Sequence, residues 1–162
     1  MKNRIPFIIL AACFTFLVHA SCKAQPADNF TGPLTINDTI ELGDTPQAIT
    51  AKFSQPNDVE SVYWEMDEVT ATYYKYNGGE FRFVSNKLES FKFTSSTYKL
   101  KLGTFELKVG NNISTLSSTF PKSYSIRSSE GTSITLGTGD YQYISIGTNS
   151  NGVITEIELR VM

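Results

Sequence analysis

Four carboxylates lie close together in the first half of the chain, at Glu60, Glu65, Asp67 and Glu68. Two carboxylates in different environments can serve as the acid and the base of glycoside cleavage, because their pKa values are then driven apart. The same four residues also suit a solvated strand edge, where charge discourages pairing with another sheet. We favour the solvated edge, because nothing in the spacing gives one of these carboxylates a different environment from the others.

Histidine and cysteine are scarce, and their positions exclude other chemistry. The one histidine is His19 and the two cysteines are Cys13 and Cys22, all near the N-terminus. Without that segment the chain has no imidazole, which excludes Ser-His-Asp and Cys-His catalysis and the usual zinc sites. The acidic cluster also lacks the alternating oxygen ligands and central glycine of a calcium loop. We therefore predict no catalytic residue, no metal site, no cofactor and no enzymatic activity.

Aromatic residues give the stronger indication of a binding site. Tyr63, Trp64, Tyr73, Tyr74 and Tyr76 crowd one part of the chain. Because successive residues of a strand face opposite sides of the sheet, Tyr73 and Tyr74 cannot both face a core. Trp and Tyr on an open sheet face are favoured anchors for a protein or a sugar, although they also suit ordinary β packing. We predict that Trp64, Tyr74 and Tyr76 bind a partner.

The N-terminal segment is typical of an export signal. Lys2 and Arg4 precede the apolar run Ile5–Val18, which is too short to span a bilayer comfortably. We predict a signal peptide over residues 1–21. Without Lys2 and Arg4 the chain keeps 12 basic and 16 acidic residues, a net charge of −4. This charge offers no basic patch for nucleic acid and suits a periplasmic or surface protein.

The end of this segment resembles a bacterial lipoprotein signal, in which a cysteine becomes the lipidated first residue. The resemblance rests on the sequence Val-His-Ala-Ser-Cys, which ends at Cys22. We predict lipid attachment at Cys22, with cleavage after Ala24 and lipidation at Cys13 as the alternatives. Residues 22–34 are rich in Pro, Asp, Asn and Gly and are predicted to form a tether between the lipid and the fold.

A repeat indicates the elements that must position the binding residues. Ile40–Phe53 (IELGDTPQAITAKF) aligns with Leu107–Phe120 (LKVGNNISTLSSTF), and their glycines and apolar positions then coincide. A second internal similarity relates Glu80–Phe93 to Tyr143–Leu159. We interpret the chain as one unit duplicated.

The sequence pattern of each copy predicts a short helix that follows a strand. The first helix is capped by Asp44 or Thr45 and begins at Pro46, whose missing N–H costs nothing in the first turn. The second is capped by one of two adjacent asparagines and ends at Pro121. Both helices are short enough to need packing on a sheet.

Alternation of period two predicts the strands. A short strand is expected in Thr35–Leu42. The stretch Thr97–Val109 joins the halves through Gly103 and ends as the opening strand of the second copy. Four phenylalanines, at positions 81, 83, 91 and 93, alternate and define one apolar face. The other predicted strands are Ser61–Met66, Val69–Tyr76, Glu80–Val84, Lys87–Phe93, Ser123–Arg127, Ser133–Leu136, Tyr141–Ile146 and Val153–Val161.

These elements predict an α+β fold. It consists of two tandem strand–helix–meander repeats, with the short helices packed on one face of an antiparallel sheet. The first repeat covers residues 35–96 and the second covers residues 97–162, and together they are expected to form one compact domain.

The order of elements in each copy resembles that of a known family. It consists of a short strand, a glycine, a capped helix ending in Phe-x-x-Pro or Phe-Pro, and a meander. That family includes BamE-type outer-membrane lipoproteins and the β-lactamase-inhibitor protein (BLIP-like), and the resemblance covers residues 35–162. It implies a binding or scaffolding role, because members stabilise an outer-membrane assembly or inhibit an enzyme through an aromatic-rich sheet surface. This chain departs from the inhibitor in having no disulfide and from the assembly lipoproteins in being duplicated.

The predicted function is that of a non-catalytic lipoprotein of the cell envelope, of assembly or inhibitor type, which binds a protein partner. The predicted location is the outer membrane, on its periplasmic or surface face, or a soluble periplasmic or secreted form without the lipid. The first alternative is a carbohydrate-binding surface module with a flat platform of exposed aromatics. The second is a small carboxylate-based hydrolase with two carboxylates facing each other across a cleft. Asp38-Thr39-Ile40 matches an O-glycosylation pattern of some Bacteroidetes, and chance is its simpler explanation.

Overall fold

The computed structural model of this chain describes residues 26–65, 67–137 and 142–161. The predicted signal peptide, residues 1–21, and the predicted lipid site Cys22 lie outside the described residues. Strands dominate the part that is described, and they form an eight-stranded mixed sheet and a three-stranded sheet with a few short helices. The predicted α+β class is therefore confirmed.

The described elements have the following bounds. The helices are α1 (Pro46–Phe53), a 3-10 helix (Ile113–Ser117) and α2 (Pro121–Ser125). The strands are β1 (Asn29–Phe30), β2 (Leu34–Ile36), β3 (Asp58–Trp64), β4 (Val69–Tyr76), β5 (Gly79–Val84), β6 (Lys87–Phe93), β7 (Lys99–Leu102), β8 (Phe105–Lys108), β9 (Gly131–Leu136), β10 (Gln142–Thr148) and β11 (Ile154–Val161).

The large sheet joins two meanders at their last strands. Its order is β1-β9-β10-β11-β6-β5-β4-β3, and the small sheet has the order β2-β7-β8. At the junction β6 and β11 are antiparallel, with Phe93 opposite Ile157 and Lys92 opposite Glu158. Because side chains alternate along both strands, this register continues one apolar face and one polar face across the junction.

The turn before each predicted helix is tied to the last strand of its meander. In the first half the N–H of Gly43 donates to the carbonyl of Leu88 at 2.8 Å, and the N–H of Leu88 donates to the carbonyl of Asp44 at 2.7 Å. The second half repeats both bonds around Ile154, at 2.8 and 2.9 Å. The two stretches aligned in the sequence thus share a local backbone geometry.

Helix α1 begins as the sequence predicts. Thr45 is its N-cap, and its hydroxyl oxygen accepts a hydrogen bond from the N–H of Ala48 at 3.4 Å. Pro46 occupies the first turn, and both Pro46 and Ile49 are buried. Phe53, one turn after Ile49, packs its ring 5.4 Å from that of Phe81 on β5. One face of the helix is therefore held on the apolar face of the sheet.

The second helix differs from the prediction. Asn112 is the cap, accepting from the N–H of Ser114 at 2.9 Å, but the element it starts is the 3-10 helix. Pro121 does not end a helix and instead begins α2. The strand predicted at Ser123–Arg127 is therefore wrong. The physical reason is that proline fixes φ at a helical value and tolerates the first turn, so it starts helices as readily as it stops them.

The stretch predicted as a tether, residues 22–34, is in part built into the fold. Its strand β1 pairs in parallel with β9 at the edge of the large sheet. Asp28 accepts the N–H of Ser123 at 2.8 Å, and the hydroxyl of Ser123 accepts the N–H of Asp28 at 2.9 Å. Phe30 packs edge-to-face on Phe120 at 6.2 Å. A side chain distant in sequence thereby satisfies a free N–H in the first turn of α2.

One continuous core fills the space between the two sheets and the helices. All four alternating phenylalanines are buried in it, as predicted. The ring of Phe93 lies 4.7 Å from that of Phe91 and 4.7 Å from that of Tyr98, both stacked. The core also includes Ile36 and Leu107 of the small sheet and Ile144 and Ile157 of the large sheet, so both meanders share it.

A tight turn interrupts the strand predicted over Thr35–Leu42. Ile36 and Ile40 form an isolated antiparallel bridge, and Asn37 and Asp38 between them have φ values of +48° and +67°. Asparagine and aspartate tolerate this left-handed region better than other residues with side chains. The carboxylate of Asp38 is thereby directed at two lysines of β7.

Asp38 is expected to titrate well below an ordinary aspartate. Hydrogen bonds from Lys101 and then Lys99, the latter at 2.9 Å, lower the pKa of Asp38 to about 2. A carboxyl whose pKa is depressed by folding contributes stability above its unfolded pKa of about 3.9, and that stability is lost as the pH falls through the folded pKa. NMR titration should find a midpoint near 2 that Lys101→Ala moves toward the ordinary value. A wild-type midpoint near that of a free aspartate would contradict the pairing.

Candidate functional site

The face of the large sheet opposite the core carries a polar cleft with aromatic walls. The cleft has a volume of about 360 Å³ and crosses strands from both meanders. It is lined by polar and aromatic side chains that alternate with the buried ones along each strand. These side chains are Trp64, Tyr73, Glu80, Arg82, Ser90, Lys92, Tyr143, Glu158 and Arg160.

The strand register brings these residues together from distant parts of the chain. Tyr73 on β4 is opposite Arg82 on β5. Tyr143 on β10 is opposite Arg160 on β11. Lys92 on β6 stands between them, at the junction of the two meanders. The cleft therefore exists only because the two halves of the chain share one sheet.

Arg82 is the most enclosed cation of the cleft. Its guanidinium lies 4.6 Å from the centre of the Trp64 ring, which is a cation–π contact. Its side chain is 16% exposed and also forms an ion pair with Glu89 of β6. The Nε atom of Arg82 is buried and has no acceptor within the described protein. The contacts with Trp64 and Glu89 therefore hold Arg82 in one orientation on the wall of the cleft.

Two other cations of the face are held by ion pairs, one across strands and one along a strand. The Nζ atom of Lys92 lies 2.9 Å from a carboxylate oxygen of Glu156, and this hydrogen bond raises the pKa of Lys92. The Nε atom of Arg160 lies 2.7 Å from a carboxylate oxygen of Glu158, and that bond, followed by one with Tyr143, raises the pKa of Arg160. The face therefore presents fixed, alternating charges at neutral pH.

Of the three residues predicted to bind a partner, Trp64 lines the cleft and the other two do not. Tyr74 packs against the core with its ring 5.0 Å from that of Phe83. The hydroxyl of Tyr76 donates to the carbonyl of Ser54 at 3.1 Å, and burial raises the pKa of Tyr76 to about 12. The structure thus places Tyr74 and Tyr76 on the opposite face of the sheet from Trp64, and a binding role for them stays a prediction.

Tyr73 is the residue that the sequence argument missed. The alternation showed that Tyr73 and Tyr74 face opposite sides but did not say which side faces the core. The register of β4 on β5 decides it, because Tyr74 is opposite the buried Phe81 and Tyr73 is opposite Arg82. The buried phenylalanines of β5 were the signal that could have found it.

The four clustered carboxylates occupy the edge that the sequence predicted for them. Glu60 forms an ion pair with Lys75 of the neighbouring strand. Glu65, Asp67 and Glu68 are exposed where β3 turns into β4. Within residues 26–65, 67–137 and 142–161, no group of three or more potential ligands from His, Cys, Asp and Glu could hold a metal ion. None of the helices described in that part of the chain is long and apolar enough to cross a membrane.

Comparison with known proteins gives one similarity of fold. No protein family and no curated protein matches the sequence. Among solved structures, the chain is similar to an extracellular protein containing an SCP domain from Bacillus anthracis str. Ames, with 11% sequence identity and a TM-score of 0.47. The similarity covers 76% of this chain and 44% of that one. A likeness of this degree carries no argument about the activity of this chain.

The predicted resemblance to BamE-type lipoproteins and to the β-lactamase-inhibitor protein is wrong. The structural match is to a protein of another kind, the SCP-domain protein. The motif behind that resemblance consists of a glycine, a helix cap, two apolar positions and a proline. These residues form a chain reversal before a helix. Unrelated folds use the same residue types there, because glycine tolerates a positive φ and a cap accepts the free N–H groups of the first turn. The second copy does not even form the predicted helix.

Proposed function

We propose that this chain is a non-catalytic protein of the bacterial cell envelope that binds a protein partner through the cleft on the open face of its large sheet. One observation carries the proposal. Trp64, Tyr73, Tyr143, Arg82 and Arg160 line one cleft, and Trp, Tyr and Arg are the types that dominate binding energy at protein interfaces.

The environment of Arg82 supports recognition of a partner's polar groups. The contacts with Trp64 and Glu89 restrict the guanidinium before any partner arrives, so less conformational entropy is lost on binding. The exposed part of the Arg82 side chain lines the cleft, where a guanidinium can donate to a carbonyl or carboxylate of the partner. A partner that supplies an acceptor beside Arg82 would be selected over one that supplies none.

The alternative of a carbohydrate-binding module has less support. A sugar needs the open face of an aromatic ring, but the Arg82 guanidinium covers one side of Trp64 and leaves that residue 37% exposed. The cleft therefore presents charged hydrogen-bonding groups beside a partly covered ring.

The alternative of a carboxylate hydrolase also has less support. Glu80 and Glu158 both line the cleft, but Lys92 lies directly between them, opposite Glu80 on one side and opposite Glu158 on the other. The lysine therefore separates the two carboxylates, which do not face each other across the cleft as that mechanism needs.

The envelope location and the duplicated unit are parts of the same proposal. The export-like N-terminus and Cys22 support a lipid anchor on the periplasmic or surface face of the outer membrane, and a soluble form would follow from cleavage after Ala24. The shared backbone bonds around Leu88 and Ile154 support two tandem repeats of one unit. Duplication would explain why the cleft is built at the junction of two meanders.

The proposal predicts that Trp64→Ala weakens capture of the partner by at least about 30-fold. The control is Ile126→Ala, because Ile126 is 39% exposed, as Trp64 is 37% exposed, but lies outside the cleft. The measurement is quantitative cross-linking of wild type and both variants in the envelope fraction of the native host. Intact mass of the wild-type protein in that fraction reports acylation at Cys22.

The proposal fails if Trp64→Ala and Ile126→Ala capture the same protein equally well while both remain folded. Binding of a purified envelope polysaccharide that depends on Trp64, with no dependent protein, would favour the carbohydrate module instead. A mass that begins at Gln25 without acyl chains would reject the lipid anchor and leave the binding surface to be tested separately.

A further inference from the structure

Two hairpin turns of the large sheet carry the dipeptide Asn-Gly. Asn77 and Gly78 lie between β4 and β5, and Asn151 and Gly152 lie between β10 and β11. Both asparagines are exposed. An asparagine before glycine can lose the nitrogen of its side-chain amide, because the glycine has no side chain to hinder attack by its own main-chain nitrogen. The chain therefore contains two candidates for one modification, and their surroundings distinguish them.

The main-chain nitrogen of Gly152 is engaged in a hydrogen bond. Its N–H donates to the carbonyl of Asn149 at 2.9 Å, and the carbonyl of Gly152 accepts the N–H of Ile113 at 2.8 Å. The N–H of Asn151 also donates to the side-chain oxygen of Asn149, at 3.0 Å. Attack by the Gly152 nitrogen would first have to break its hydrogen bond, because the nitrogen must lose that proton and turn toward the Asn151 side chain. The second turn is therefore protected.

The main-chain nitrogen of Gly78 lacks this protection. Within the part of the chain that the structure describes, its N–H donates to no main-chain acceptor. The carbonyl of Gly78 accepts the N–H groups of Thr94 at 2.8 Å and Ser95 at 3.2 Å, so the turn is held in place while the nitrogen stays available. The side-chain oxygen of Asn77 accepts a hydrogen bond from Nδ2 of Asn57 at 2.9 Å. That bond polarises the amide carbonyl and favours attack on its carbon.

We propose that Asn77 is a site of deamidation and that folding protects Asn151 from the same reaction. The nitrogen of Gly78 loses its proton to water or hydroxide and bonds to Cγ of Asn77, and the side-chain nitrogen takes up a proton and leaves as ammonia. Water then opens the succinimide ring, at Cγ to give aspartate or at the main-chain carbonyl to give isoaspartate. The sum is the exchange of ammonia for water, with no change of oxidation state. This inference goes beyond the proposed function, because it concerns a hairpin turn and not the cleft.

Either product changes the end of the hairpin. Both add a negative charge, and isoaspartate also inserts a methylene group into the main chain before Gly78. The turn joins two strands through two residues and keeps Tyr76 opposite Gly79. A longer main chain does not suit a turn of that length, so isoaspartate should weaken the bonds of the Gly78 carbonyl to Thr94 and Ser95.

The test is incubation of the purified, folded protein at mildly alkaline pH, with peptide mapping by mass spectrometry at successive times. Electron-transfer fragmentation separates isoaspartate from aspartate and assigns each to its position. We expect Asn77 to convert about fivefold faster than Asn151, which is the effect of one ordinary hydrogen bond on a reaction barrier. In urea the two sites should convert at nearly equal rates, because unfolding removes the bond that protects Gly152.

The matched variant is Asn77→Gln, which keeps an amide at the turn but would have to close a larger ring. It should abolish the fast conversion and leave that of Asn151 unchanged. Fast conversion that persists in Asn77→Gln protein would belong to another asparagine and would reject the site. Conversion of Asn151 as fast as that of Asn77 in folded protein would overturn the proposal. The same ratio of the two rates in folded and unfolded protein would equally reject it.

Discussion

Gly131→Ala is expected to lower the free energy of unfolding by about 3 kcal/mol or more, one of the largest effects of a single methyl group in this chain. Gly131 begins β9 with φ of +137°, a region that residues with a side chain rarely adopt. An alanine Cβ at this position would overlap the carbonyl oxygen of Ile146 on β10. Neither strand can move away easily, because Gly131 is paired with Gly147 on β10. The carbonyl of Gly131 also accepts the N–H of Ser128 at 2.8 Å.

Gly43→Ala is the matched control for Gly131→Ala. Gly43 also has a positive φ, +89°, but no atom lies within 4 Å of the position that its Cβ would take. Its substitution should cost only the backbone strain, about 1–2 kcal/mol. Urea unfolding of both variants measures the difference. Equal losses of unfolding free energy in the two variants would contradict this prediction. They would mean that β9 moves to relieve the clash with Ile146 at little cost.

Phe93→Ala is expected to lower the free energy of unfolding by about 3–5 kcal/mol. Phe93 is fully buried, and its ring packs against those of Phe91, Tyr98 and, at 5.6 Å, Phe81. Alanine would leave a cavity that the closely packed rings around it cannot collapse to fill. Phe93 is also opposite Ile157 at the junction of the two meanders, so both halves should lose stability together.

Thermal unfolding followed by circular dichroism and by calorimetry tests the effect of Phe93→Ala. The expected result is one cooperative transition at a lower temperature, with the same midpoint in both measurements. Ile126→Ala is the control and should stay within about 0.5 kcal/mol of the wild type, because that side chain is 39% exposed. Two separate transitions in the Phe93→Ala protein would contradict the predicted single compact domain.

The local elements of the first half follow closely from the sequence. Strands β4 and β6 have the predicted bounds, and α1 begins at Pro46 after its threonine cap. These features depend on interactions within a few residues: alternation of side chains in a strand, a cap that accepts a free N–H, and the fixed φ of proline. Such interactions are readable from spacing alone, and so is the buried face formed by the four phenylalanines.

The errors fall where one local pattern permits two structures. Pro121 can end one helix or begin another, and the contact between Asp28 and Ser123 favours the second outcome. The tether segment, residues 22–34, lacks periodicity, yet its strand β1 is held by pairing with β9, about a hundred residues away. Contacts of that kind leave no trace in the nearby sequence, so composition alone suggested a linker.

The sequence by itself determined the α+β class, the alternation of the strands and the apolar face that must be buried, because each is a short-range consequence of side-chain size and spacing. It also determined that Tyr73 and Tyr74 face opposite sides of a sheet. Only the tertiary structure decided which of the two faces the cleft, because that depends on the register between β4 and β5. The meeting of β6 with β11, which joins Arg82 to Arg160 on one surface, is likewise a long-range pairing whose stability comes from the shared core.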